Sequence, residues 1–150
     1  MKTLIEDEFF IRNVIESIDN AVDAKDWAKA RSFFTENIYV DFSSLAGGSA
    51  VEITSDQLIA AWEKNLYAGK KSFHLRGNHQ ITINGNTASD YSKAYAINAI
   101  DKGPVTGIWE IWGDYVYTLL KESDGWKVTG MTLLVVETRG DDKIRTYLEE

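Results

Sequence analysis

Apolar residues recur at three- and four-residue steps along the start of the chain. Leu4, Ile5, Phe9, Phe10, Val14, Ile15, Ile18, Ala21 and Val22 fall on one stripe of a long helix, with the acids between them on a solvated face. The pattern breaks around residues 23–26. Asp26 then caps a shorter helix carrying Trp27, Ala30, Phe33 and Phe34, and Thr35-Glu36-Asn37 stops it before a strand over residues 38–42. Residues 43–50 are Ser- and Gly-rich and read as a loop. Thr54, followed three positions later by Gln57, is a capping-box pattern for a third helix whose apolar side is Leu58, Ile59, Trp62 and Leu66 and which ends at Gly69.

From residue 73 the period changes to two. Residues 73–100 predict a long hairpin turning at Asn84-Gly85-Asn86. On its second strand one parity is small or short (Ala88, Asp90, Ser92, Ala94, Ala96) while the other carries Ser89, Tyr91, Lys93 and Tyr95. A small-residue face leaves room for a ligand. Residues 101–104 make a turn, 105–120 a strand, Ser123-Asp124-Gly125 another turn and 126–138 a last strand. Residues 141–150 form a short helix or fray.

Helices followed by antiparallel strands give an α+β fold in which three N-terminal helices pack on a sheet. Strands this long must bend, and Gly107, Gly113 and Gly130 are the positions where bulges bend them, closing a cone-shaped fold around a pocket. The other sheet face carries Tyr91, Tyr95, Trp112 and Val116, which predicts a homodimer joined through that face. Glu110 and Asp114 share a parity with Trp112 and belong to the same outer surface.

At 150 residues and 44% hydrophobic, residues 1–150 suffice for one domain with a substantial core. A net charge of −7 argues against nucleic acid as a partner. No cysteine is present, which removes disulfides, thiolate nucleophiles and thiolate metal sites. The start of the chain lacks a signal-peptide core and no run reaches the length of a membrane helix, so no membrane partner and a cytoplasmic location are expected. Of the two histidines, His79 lies five residues from His74. That odd separation sends it to the opposite face, a surface or dimer-face position, unless Gly77-Asn78 forms a bulge, and a two-histidine metal site is not expected.

Five segments in order carry a resemblance: Asp23-Ala24-Lys25-Asp26-Trp27, Tyr39-Val40-Asp41-Phe42, Phe73-His74-Leu75-Arg76-Gly77, Gly113-Asp114-Tyr115 and Asp124-Gly125-Trp126-Lys127-Val128. Together they resemble the SnoaL-like branch of the nuclear transport factor two-like superfamily, which includes scytalone dehydratase, the bile-acid dehydratase and polyketide cyclases. The resemblance spans roughly residues 6–137. It implies a conical α+β fold with a deep pocket and no cofactor, and it places the working Asp and His of the dehydratases at Asp23 and His74. A second pocket histidine of scytalone dehydratase corresponds to Asn98, and the two tyrosines that hold a water on the substrate carbonyl correspond to Val22 and Phe42. A ketosteroid-isomerase-like base would fall at Asp41 or Phe42, and strand parity turns Phe42 toward the pocket.

A carboxylate accepting the Nδ1 proton of an imidazole fixes its tautomer and leaves Nε2 to exchange protons with a substrate. The expected activity is therefore that of a dehydratase- or cyclase-like lyase or isomerase acting on a small, largely apolar hydroxylated carbonyl compound. Asp23 and His74 are its catalytic residues, and Phe42, Trp62, Asn98, Trp109 and Tyr115 line the substrate. The alternative is a non-catalytic member of the same fold that holds a small ligand or a protein.

Overall fold

The computed structural model describes residues 4–150. Helix α1 (Leu4–Asp23) leads into α2 (Trp27–Arg31), then strand β1 (Phe34–Asp41), a one-turn helix α3 (Ser43–Ala46), β2 (Val51–Thr54) and α4 (Ser55–Asn65). Four long strands follow, β3 (Lys70–Asn84), β4 (Thr87–Ile100), β5 (Gly107–Glu122) and β6 (Gly125–Gly140), before a short α5 (Asp142–Thr146). The six strands form one sheet in the order β2-β1-β6-β5-β4-β3, an α+β arrangement with helices on its inner face.

Every pairing is antiparallel except β1 with β6, which run parallel. This departs from the all-antiparallel expectation, as do the four helical segments before β3 where three were expected; α5 lies in the 141–150 segment expected to form a short helix or fray. β1 begins at Phe34, so Thr35, Glu36 and Asn37 belong to the strand. The 43–50 loop contains α3, and β2, which no pattern announced, pairs back on β1 through Ile38↔Ile53. The capping box of α4 is complete, since Gln57 N–H donates to Thr54 Oγ1 and Thr54 N–H to Gln57 Oε1, but the helix stops at Asn65.

The α1 stripe is correct in its last three turns and misphased in its first two. Ile11, Ile15 and Ile18 are buried against the sheet, whereas Leu4, Ile5, Phe9 and Phe10 are exposed and Asp7 is buried. Asp7 faces inward because Trp126 Nε1 (3.0 Å) and Lys121 Nζ (3.2 Å) donate to it. The polar contact overrides the apolar period there.

The sheet is bent by irregularities in its long strands. Register shifts fall opposite Trp112/Gly113 and Thr118/Leu119, where β6 carries an extra residue at Val136 and Thr129. Gly113 and Gly130 sit at these bends, and a Cβ on Gly130 would lie 2.7 Å from Thr118 Oγ1. The hairpin turns at Gly85 with φ 61. Its first strand has a further bulge between Gly77 and Gln80, with Asn78 at φ 54. The bulge brings His79 to the inner face, where Asp90 (2.7 Å) and Glu16 (3.1 Å) flank its ring. His79 is thus a buried residue and not a surface one. No helix among the described residues is long and apolar enough to cross a membrane.

Candidate active site

The last residue of α1 meets the first half of β3. Asp26 stops α1 from continuing by capping α2, accepting from Lys29 N–H, and Lys25 takes a left-handed backbone at the break. Lys25 Nζ then donates to the carbonyls of Leu66 (2.9 Å) and Lys70 (2.8 Å), which ties the end of α1 to the entry of β3. Asp23 is left facing Ser72 and His74.

Asp23 accepts three hydrogen bonds. His74 Nδ1 lies 2.7 Å from Oδ1, Ser72 Oγ donates to the same oxygen at 2.8 Å, and His74 backbone N–H donates to Oδ2 at 2.7 Å. Burial works against the carboxylate. The His74 hydrogen bond and charge, with the Ser72 contact, outweigh it and hold the Asp23 pKa below its ordinary value. An ionised carboxylate can only accept, so the Nδ1 facing it carries a proton and the lone pair of a neutral ring sits on Nε2. Nε2 makes no hydrogen bond among the described residues, and the imidazole side chain is 21% exposed.

His74 stands between two chambers of one pocket. The outer chamber, about 580 Å³, is lined by Phe42, Trp62, Asn98, Trp109 and Tyr115, so all five residues expected around a ligand come together with His74. Ala96 beside His74 on the small-residue face of β4 keeps this space open. Asp41 turns away to accept from Ser43, which leaves Phe42 as the pocket residue of that pair. An inner chamber of about 100 Å³ is bounded by His74, Asp19, Arg76, Tyr115 and Tyr117.

Four side chains that the sequence reading passed over shape this pocket. Arg76 donates through Nε (3.0 Å) and Nη2 (2.9 Å) to the two oxygens of Asp19, and its guanidinium lies 4.2 Å from the Tyr115 ring centre. The signal was present, since Asp19 precedes Asp23 by one helical turn and Arg76 follows His74 by one strand repeat. Arg145 and Leu148 also line the outer chamber, brought there by Lys70, whose Nζ donates to the Arg145 and Tyr147 carbonyls. No group of three or more His, Cys, Asp or Glu side chains among the described residues is arranged to hold a metal ion.

Comparison with known proteins agrees with the fold. A family model described as a SnoaL-like domain matches residues 3–132. No curated protein matches in sequence. Among solved structures, the Kfla4162 protein of Kribbella flavida is similar with a TM-score of 0.85 at 19% identity, over 91% of this chain and 95% of that one. A protein of Novosphingobium aromaticivorans DSM 12444, provisionally named a scytalone dehydratase, gives 0.77 at 18% identity, over 90% and 87% of the two chains. A type 2 hexachlorocyclohexane dehydrochlorinase, LinA, gives 0.75 at 9% identity, over 90% and 88%. Likenesses at these identities show the shared fold.

Proposed function

We propose that this chain, which belongs to the SnoaL-like domain family within the nuclear transport factor two-like superfamily, is a lyase or isomerase of dehydratase or cyclase type with Asp23 and His74 as its working pair. The observation that carries this is the orientation of one imidazole: Nδ1 is held by a carboxylate at 2.7 Å while Nε2 is free on a side chain that lines both the ligand-sized outer chamber and the small inner one. Nε2 takes the proton from a carbon beside a carbonyl and the C–H electron pair passes into an enolate; collapse of the enolate forms the new C=C bond as the C–O bond to the neighbouring carbon breaks, and the departing hydroxide takes a proton from Nε2 and leaves as water. Acid–base assistance of this kind is worth roughly 10²- to 10⁴-fold. Phe42, Trp62, Trp109 and Tyr115 supply apolar contact to the ligand and Asn98 a polar one.

The test is incubation with a panel of β-hydroxy aryl ketones in D₂O, following deuterium uptake beside the carbonyl by mass spectrometry and enone formation by absorbance. Both are expected with the native protein and lost in H74Q. Ketone binding with neither signal favours the second reading, a non-catalytic binder, for which the specific support is that Val22 and Phe42 present apolar walls to the pocket. In either case we place the protein as a homodimer joined by its outer sheet faces, where Phe73, Leu75, Ile108, Leu134 and Val136 are exposed.

A further inference from the structure

The acid–base role of His74 leaves the far end of the inner chamber without a task. Arg76 is 3% exposed at its side chain, and Asp19 occupies only Nε and Nη2. Nη1 is buried with no acceptor, as is the hydroxyl of Tyr117, whose ring lies 5.2 Å from the same guanidinium. A buried donor without a partner is costly, more so on a charged group, so two on neighbouring residues call for an explanation. Burial works against the guanidinium charge, but Tyr117, Asp19 and Tyr115 around it raise its pKa and keep it cationic. Burial also pushes the Tyr117 phenol up, so it stays protonated and able to donate.

Position relates this cation to the dyad. Arg76 is two residues beyond His74 on the same face of β3, which is about 7 Å along a strand. A carbonyl group and its neighbouring carbon, with a hydrogen bond of about 3 Å at the oxygen and a similar approach at the C–H, span a comparable distance. Val22 and Phe42 offer no donor to a substrate carbonyl, so the pocket's means of holding a developing oxyanion lies elsewhere.

We propose that Arg76, with Tyr117 beside it, is the oxyanion-binding end of the pocket, receiving the carbonyl oxygen of an enolisable ketone whose adjacent C–H faces His74 Nε2. This rests on the dyad's working on a ligand in the pocket. As the C–H proton passes to Nε2, its electron pair forms the C=C bond, the C=O π pair moves onto oxygen, and Nη1 stabilises that charge. A fixed cation in a water-poor site contributes most at the point where charge develops. The substrate class narrows to ketones whose carbonyl enters the pocket first.

The probe is 4-nitrophenol, an aromatic oxygen acid with no carbon acid for the dyad to attack, whose visible band reports its ionisation. Bound to the native protein it should ionise at least about tenfold more readily than in water, as expected beside a fixed positive charge. Y117F removes only the unpartnered hydroxyl and should weaken this effect without lowering thermal stability. R76Q alone strands the Asp19 carboxylate, so the decisive variant is D19N/R76Q, which exchanges the ion pair for an amide pair and should ionise the bound phenol no better than water does. H74Q must keep the effect. Loss in H74Q with retention in D19N/R76Q assigns the charge to the dyad and overturns the proposal. So does a bound phenol no more acidic than in water, the result expected if Nη1 is satisfied by an internal water shared with Ser92 and Asp90, and so does absence of any binding. None of these outcomes bears on deuterium uptake by ketones, so the two readings fail separately.

Discussion

Asn78 holds a left-handed backbone (φ 54) immediately before His79, and that residue turns His79 onto the face of β3 that carries His74. Three acids of α1 then meet three bases of β3: Asp23 with His74, Asp19 with Arg76 and Glu16 with His79. Helical steps of four and three residues match strand steps of two and three because the bulge absorbs the extra residue. The helix is thereby fixed over the sheet in the one register that delivers Asp23 to the pocket.

The two histidines should separate stability from chemistry. His79 is flanked by Asp90, which is fully buried, so H79A strands that carboxylate and is expected to cost about 3–5 kcal/mol. H74Q, at a partly exposed position, should cost no more than about 1–2 kcal/mol while abolishing deuterium uptake by ketones. At the bulge, N78G should be tolerated and N78V should cost about 1–2 kcal/mol, the penalty of a left-handed backbone for a β-branched residue. Urea unfolding of the four variants measures all of this, and equal losses for H79A and H74Q would contradict it.

Acid sensitivity follows from Asp23. Its folded pKa lies below the ordinary 3.8. A depressed carboxylate contributes stability in full above its unfolded pKa, and the contribution disappears as pH falls through the folded one. D23N should therefore be less stable than the native protein at neutral pH, with the gap closing below about pH 4. A gap that stays constant down to pH 2 would mean that the Ser72 and His74 contacts do not depend on the charge.

The parts of the fold set by local period or capping were legible in the sequence: the later turns of α1, the Thr54–Gln57 box of α4 and the β3–β4 hairpin. What escaped depends on distant partners. β2 and the parallel seating of β1 on β6 have no local signature, and Asp7 faces inward only because Trp126, 119 residues away, donates to it. The pocket followed the same rule. Asp23 and His74 were found through a resemblance in short segments and are brought together at 2.7 Å, while Arg76 sat inside one of those segments unread because its partner Asp19 lies 57 residues away.

The outer face should control assembly. Leu75 and Val136 are 60% and 67% exposed on the sheet face away from the helices, among other exposed apolar side chains. Charge buried without a partner opposes association, so L75E and V136E should convert a dimer into a monomer of 16.9 kDa with little change in the fold. Light scattering reads the mass. A native protein that is already monomeric at micromolar concentration would refute the assignment.

Lys70 holds the C-terminal segment over the outer chamber and should reveal itself by pH. It is fully buried, and its three N–H groups find three acceptors: the Tyr147 carbonyl at 2.8 Å, the Arg145 carbonyl at 3.2 Å and Asn65 Oδ1 at 3.5 Å. Burial, with Lys25 and Arg145 nearby, lowers its pKa from 10.5 to about 8. Between those two values the unfolded chain binds more protons than the folded one, so stability from this group rises with pH across that window. Below it, the cost of burying the charge is felt in full. K70M removes both the charge and the anchor. Its stability should lack the rise expected of the native protein above about pH 8, and amide exchange at residues 144–147 should quicken about tenfold, the equivalent of one charge-assisted hydrogen bond. If K70M keeps the alkaline rise, another group is its source. If exchange at those amides is unchanged, Arg145 and Leu148 reach the pocket without help from Lys70.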